Sequence, residues 1–127
     1  MILTNLDILF DDGVAVLDLQ RRFDPEDLAP PNVPGWRGTI GDLARLRAGW
    51  RPDKHTLSHA PWIAHWSVSA INTVGLFNLV GIVTGHPRIP DHRQVSTSLL
   101  IALDTGNLRW ARTLSRFYVL GPPAGKR

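Results

Sequence analysis

Residues 85–121 read GHPRIPDHRQVSTSLLIALDTGNLRWARTLSRFYVLG and contain the strongest strand pattern, the clearest turn and the densest arginine and aromatic cluster of the chain. Residues 97–103 form a β-rich apolar run, and the four residues after it, Asp-Thr-Gly-Asn, are typical of a turn that reverses the chain. We therefore predict a hairpin whose strands are Val95–Leu103 and Leu108–Leu120. Pairing Leu103 with Leu108 would place Ser98 opposite Thr113.

The second strand of this hairpin also admits a helical interpretation. A strand would place Trp110, Arg112, Arg116 and Tyr118 on one face. A helix would instead align Arg109 with Arg112 and Arg116 along one stripe. The turn chemistry before this segment favours the strand, and the periodicity favours the helix, so both alternatives stay open.

Working outward, residues 62–70 and 76–84 have the pattern of two further strands, and Gly81 is a predicted bulge or close approach. Before them, Thr39 is a predicted N-cap for a short helix over residues 40–48, with Gly49 as its stop. Residues 52–61 are a predicted loop. Near the N-terminus, residues 6–19 predict a hairpin that turns at Gly13.

These elements predict an α+β fold, an antiparallel β-meander of about four strands with a short N-terminal helix packed on it, plus the N-terminal β-hairpin. The predicted organisation is an acidic hairpin and Pro-rich arm over residues 1–35, a single α+β domain over 36–123, and a basic tail over 124–127. Four prolines between residues 24 and 35 predict that the hairpin is separable from the domain.

Composition limits the function classes. The 127 residues include no Cys, which excludes disulfides, thiolate zinc sites and a cysteine nucleophile. The N-terminus lacks a basic segment of the secretory type, and the apolar runs are too short for a bilayer span, so we expect a cytoplasmic protein with no membrane partner. Residues 1–35 carry seven acids and two arginines, whereas residues 84–127 carry seven bases and two acids. The basic half suits a polyanionic partner.

The order of GDLARLRAG, LSHAPWIAHW, LVGIVTGHPRI, TSLLIALD and WARTLSRFYVLG resembles a small uncharacterised family, frequent in alphaproteobacteria, that bears a domain of unknown function. The resemblance covers roughly residues 39–122. Its most specific parts are Gly85-His86-Pro87, Thr97-Ser98 and the run from Trp110 to Tyr118. It implies a shared fold and no particular activity.

An arginine-rich strand face with aromatic side chains is typical of sheets that bind single-stranded nucleic acid. The first hypothesis is therefore a small non-enzymatic protein that binds nucleic acid or an acidic protein partner. The residues expected to make that contact are Arg109, Trp110, Arg112, Arg116 and Tyr118. A competing interpretation buries Trp110 and Tyr118 in the core, with the arginine stems covering them.

The secondary candidates are polar residues near the predicted strand ends, namely His86, Arg88, Arg93, Thr97, Ser98 and Ser115. A hydrolase that uses Ser115 and His86 is a third hypothesis, after an inhibitor or adaptor protein of phage or mobile-element type. We assign no catalytic residue and no cofactor. We also assign no metal site, because the spacing of the five histidines matches no familiar ligand motif.

Overall fold

The computed structural model describes residues 8–11, 13–17, 36–70 and 77–125. The helices are α1 (Trp36–Arg47) and α2 (Lys54–Leu57). The strands are β1 (Ile8–Asp11), β2 (Val14–Leu17), β3 (Trp62–Ala70), β4 (Phe77–Thr84), β5 (Arg93–Asp104), β6 (Trp110–Thr113) and β7 (Phe117–Leu120). The Pro-rich arm and the last two residues of the basic tail lie outside the described residues.

Strands β3 to β7 form a closed five-stranded barrel. Neighbours along the chain pair antiparallel, and β7 pairs with β3 in parallel. The parallel pair follows from strand number, because five strands that alternate in direction begin and end in the same direction. The predicted α+β meander of about four strands is therefore wrong. The described fold is mainly β, and closure removes the free edges that an open meander would leave.

The extra strand arises because residues 108–120 are neither one strand nor a helix. The chain reverses at Leu114–Arg116, so that Arg112 pairs with Phe117 and Ala111 with Tyr118. Thr113 holds this turn. Its amide donates to the Arg116 carbonyl at 2.9 Å, and its hydroxyl accepts from the amides of Ser115 and Arg116 at 3.2 and 3.3 Å.

The predicted register between β5 and β6 is also wrong. Leu103 pairs with Ala111, and Leu100, not Ser98, pairs with Thr113. The connection is longer than the four residues expected, because Leu108 adopts a positive φ of 54° and its amide bonds to the Asp104 carbonyl at 2.9 Å. An irregularity between Leu100 and Ala102 shifts the pairing again.

A bulge in β3 changes which side chains face the barrel interior. The pairing with β4 shifts between Ala64 and Ser67, where His65 has a positive φ of 51°. As a result Ile63 and Trp66 are both buried inside the barrel, although strict alternation would put them on opposite faces. Trp62, at the start of the strand, lies outside.

The segment after β7 continues along β3 and completes the closure. The Gly121 amide donates to the Ile63 carbonyl at 2.9 Å, and the Ala124 amide donates to the Trp66 carbonyl at 2.8 Å. The Trp66 indole Nε1 donates to the Gly121 carbonyl at 2.8 Å. The ordered pairing therefore extends one residue past the predicted domain end at 123.

Helix α1 packs on the outer face of the barrel. Thr39, Leu43 and Leu46 follow one another at helical spacing, and all three are buried. Thr39 lies inside the helix, not at its N-cap as predicted, and its hydroxyl donates to the Leu114 carbonyl. Gly49 follows the helix at a positive φ of 104°, as expected for its stop. The predicted loop 52–61 contains the short helix α2, which Asp53 caps through a 2.8 Å bond from the Thr56 amide.

The N-terminal hairpin is part of the sheet. Strand β1 pairs with β2 across Gly13, and β2 pairs with the end of β5, next to β4 on the same edge. Val14, Ala15 and Val16 are buried, and they join both the barrel interior and the core beneath α1. We therefore expect removal of residues 1–34 to lower the stability of the remaining domain.

A buried ion pair fixes α1 to β6. Asp42 Oδ2 accepts from Arg112 Nε at 3.1 Å and lies 3.0 Å from Arg112 Nη2, while Arg112 Nη1 donates to the Thr113 carbonyl at 2.9 Å. Burial lowers the pKa of the Arg112 guanidinium, and the Asp42 carboxylate opposes that change. Asp42 also pairs with Arg45, which is exposed. The guanidinium of Arg112 lies over the Phe117 ring at 5.2 Å.

We predict that Gly81→Ala destabilises the barrel. An added Cβ would lie 2.7 Å from Ile63 Cγ1 and 2.9 Å from the Ala64 carbonyl oxygen, so backbone has to move. The expected loss is about 1–3 kcal/mol in urea unfolding. Gly41→Ala in α1 is the control, because no atom of another described element lies within 4 Å of its Cβ position. That variant should gain up to about 1 kcal/mol. Equal effects of the two substitutions would contradict the close approach at Gly81.

The ion pair generates a second prediction. Asp42→Asn should lower the free energy of unfolding by about 3–5 kcal/mol, because it leaves the buried Arg112 charge without its counter-charge. Arg45→Ala removes the exposed partner of the same carboxylate and should cost at most about 1 kcal/mol. The double variant Asp42→Leu/Arg112→Met should recover most of the loss. A double variant as unstable as Asp42→Asn would show that packing, not the unpaired charge, causes the effect.

Candidate functional site

The aromatic residues of the predicted binding face lie on opposite sides of the barrel wall. Trp110 is 5% exposed in the core beneath α1, where its ring meets that of Phe117 at 5.9 Å. Tyr118 is 4% exposed and belongs to the barrel interior. Burial raises the pKa of Tyr118, and Arg116 partly opposes the change. Neither ring presents a face on which a base can stack in this conformation.

The three arginines of the prediction are also separated. Arg112 is buried in its ion pair with Asp42. Arg109 is exposed at the start of β6, where its backbone amide donates to Asp104 Oδ2 at 3.1 Å. Arg116 is half-buried at the β6–β7 turn. Of the predicted contact residues, Arg109 and Arg116 therefore remain available to solvent.

The secondary candidates His86 and Arg88 lie near Arg116. His86 Nδ1 accepts from the Arg88 amide at 3.0 Å, and its ring lies 6.4 Å from that of Tyr118. Burial lowers the pKa of His86, and the positive charges of Arg116 and Arg88 lower it further. Arg93 is exposed at the start of β5.

The hydroxyl candidates have structural partners. Thr97 Oγ1 accepts from the Leu79 amide at 2.9 Å and donates to the Ser98 carbonyl at 2.9 Å. The hydroxyls of Ser98 and Ser115 are hydrogen-bonded at 3.0 Å. Within the described residues, no hydrogen bond joins Ser115 to His86, so the structure does not assemble the pair that a hydrolase would need.

A groove that the sequence did not indicate lies on the outer face of the barrel, with a volume of about 790 Å³. Strand pairing places Trp62 opposite Val119 and Val119 opposite Trp110, so these three residues form a row across β3, β7 and β6. The segment that carries α2 borders one side, and the β5–β6 turn borders the other. Trp62 is 53% exposed, and it is the one large apolar side chain with that much exposure among the described residues.

The lining of this groove includes three positively charged side chains and two carboxylates. Lys54 and Arg109 are exposed on it, and Arg51 also lines it while donating to the carbonyls of Leu46 and Trp50 at 3.0 and 2.7 Å. The two carboxylates of the lining are engaged in backbone contacts. Asp53 caps α2, and Asp104 accepts from the amides of Asn107 and Arg109 at 3.1 Å each. The groove thus combines an exposed indole with solvent-facing cations.

Across residues 8–11, 13–17, 36–70 and 77–125, no three His, Cys, Asp or Glu side chains are grouped as a metal site would require. The rings of His55 and His59 are in contact, with their centroids 5.4 Å apart. No helix among the described residues is long and apolar enough to span a membrane.

Comparison with known proteins identifies a family and no activity. Residues 36–124 match the model of a family of unknown function, DUF6634. No curated protein and no solved structure matches the chain. The match begins at α1 and ends where the chain after β7 completes its pairing with β3, so it includes the whole barrel and both sides of the groove. The chain belongs to this family of unknown function.

Proposed function

We propose that the protein binds single-stranded nucleic acid in the groove beside Trp62. The observation that carries this proposal is the 53% exposure of the Trp62 indole on the floor of a groove whose rim holds Lys54 and Arg109. Bases stack on exposed aromatic rings, and lysine and arginine side chains contact the phosphates between them.

A single strand fits this arrangement better than a duplex or an acidic peptide does. Stacking on Trp62 requires an unpaired base, because the faces of bases in a duplex are covered by their neighbours. An acidic peptide would pair with Lys54 and Arg109, but it would not require a flat aromatic surface. The proposal keeps Arg109 from the sequence-based hypothesis and replaces the buried Trp110 and Tyr118 with Trp62.

We also propose that the family is frequent in alphaproteobacteria. We further propose that its motif consists of Gly85-His86-Pro87, Thr97-Ser98 and the run from Trp110 to Tyr118. In the described structure Thr97 and Trp110 have supporting roles in the sheet and the core. We therefore attribute the motif to the fold rather than to ligand contact.

The proposal predicts different effects for the aromatic residue and the cation. Trp62→Ala should weaken binding of a fluorescent single-stranded oligonucleotide by about 1–3 kcal/mol and leave the salt dependence unchanged. Arg109→Ala should reduce the slope of log affinity against log salt by about 1, because one phosphate contact is lost. Fluorescence anisotropy at several salt concentrations measures both quantities.

Two control variants accompany these substitutions. Trp62→Phe keeps an aromatic face and should retain most of the affinity, and Arg93→Ala removes an exposed cation that does not line the groove and should leave the slope unchanged. Absence of binding at low salt, or equal affinity of Trp62→Ala and the unmodified protein, would contradict the proposal. Binding of polyglutamate with no binding of the oligonucleotide would point to an acidic protein partner instead.

A further inference from the structure

A second and smaller pocket, of about 240 Å³, lies on the other side of the α2 segment from the groove. Three parts of the chain form it, namely α1, the segment from α2 to the start of β3, and the hairpin of β6 and β7. Its polar lining residues are Asp42, Thr56, His59, Arg112, Ser115 and Arg116.

The pocket has an excess of positive charge. Two guanidinium groups, those of Arg112 and Arg116, line it together with one carboxylate, that of Asp42. This carboxylate is already shared between Arg112 and Arg45. Among the described residues no carboxylate lies within ion-pair distance of Arg116, and its buried Nε has no hydrogen-bond acceptor. No side chain in the described part of the chain therefore compensates the charge of Arg116.

An arginine that lines a pocket without a carboxylate partner can pair with an anionic ligand. Because the Nε atom is shielded, such a ligand would contact the terminal nitrogens of the Arg116 guanidinium. The effect of the charge extends beyond the pocket, since Arg116 contributes to the lowered pKa of His86. The pocket wall adds further hydrogen-bond donors, because the hydroxyls of Thr56 and Ser115 and the ring of His59 can each donate a hydrogen bond.

We propose that this pocket binds a phosphate group, with Arg116 as the direct contact and Arg112 behind it. The guanidinium of arginine offers paired donors that match two oxygens of a phosphate, and the ion pair with Asp42 holds Arg112 in place. The hydroxyls of Ser98 and Ser115 share one hydrogen bond in which either can be the donor. When Ser98 donates, the Ser115 hydroxyl proton is left to donate to the ligand. This site is independent of the groove, since Trp62 and Arg109 do not line it.

The phosphate group has two possible sources, free inorganic phosphate or the terminal phosphate of a nucleic acid. The first experiment titrates sodium phosphate into the ¹⁵N-labelled protein at constant ionic strength, with sodium chloride as the matched salt, and follows the arginine Nε–Hε resonances by NMR. The Arg116 resonance should shift and saturate with phosphate and not with chloride. A shift that does not saturate, or one that chloride reproduces, would overturn the proposal.

Variants of Arg116 then test the contact itself. Arg116→Ala should weaken phosphate binding about tenfold to a hundredfold, the amount expected for loss of a charged hydrogen-bonding partner. Arg116→Lys keeps the charge without the paired donors and should fall between Ala and Arg. Arg88→Ala removes a nearby exposed cation that does not line the pocket and should leave the affinity unchanged. An effect of Arg88→Ala as large as that of Arg116→Ala would show a diffuse basic surface instead of a site.

The second experiment distinguishes the sources with a 5′-phosphorylated oligonucleotide and its 5′-hydroxyl counterpart. If the terminal phosphate is the ligand, the phosphorylated form binds more tightly to the unmodified protein and loses that advantage in Arg116→Ala. If free phosphate is the ligand, the two oligonucleotides bind equally while the phosphate titration still saturates. Trp62→Ala should change neither the phosphate titration nor the ratio of the affinities for the two oligonucleotides. The groove proposal and the phosphate proposal can therefore fail independently, and the two failures give different results.

Discussion

The hydrogen bonds of Thr113 determine where β6 ends and β7 begins. Its side chain is fully buried, and its hydroxyl satisfies the amides of Ser115 and Arg116 that would otherwise be unpaired in the turn. The turn returns the chain beside β6 and directs β7 toward β3. Without this turn the barrel could not close, because β7 is the strand that joins β6 to β3.

Barrel closure also determines which tryptophans are buried and which are exposed: Trp66 and Trp110 are buried, whereas Trp62 is exposed to solvent. The parallel register places Trp62 beside Val119 and, through Val119, in line with Trp110 on the outer face. Helix α1 and the residues after it cover the Trp110 end of this row, where Trp50 and Phe117 pack. The Trp62 end stays open. The candidate groove is thus a consequence of how the barrel closes and of how much of its outer face α1 covers.

The elements that the sequence predicted are those with local signals. Gly49 marks the end of α1, Gly13 lies in the turn of the N-terminal hairpin, and Gly81 lies where β4 approaches β3. The β6–β7 turn was missed because Leu-Ser-Arg contains no Gly, Pro, Asn or Asp, and its stability comes from a threonine side chain. The exposure of Trp62 was missed because alternation groups it with Trp66, whereas the bulge at His65 places Trp66 inside the barrel. The sequence was enough to name Arg109 as a candidate contact residue. It could not predict the burial of Arg112, because that burial depends on an ion pair with Asp42, seventy positions earlier in the chain.

The central claim is that Trp62 is the indole that contacts the ligand, while Trp66 and Trp110 belong to the fold. The most direct measurement follows the five indole Nε–Hε cross-peaks in a ¹H–¹⁵N NMR spectrum during titration with a single-stranded oligonucleotide at low salt. The account predicts that the Trp62 cross-peak shifts most, while Trp66, which donates to the Gly121 carbonyl, and Trp110 move little. A largest shift at Trp110 or Trp66, or no shift at Trp62 while the oligonucleotide binds, would contradict it.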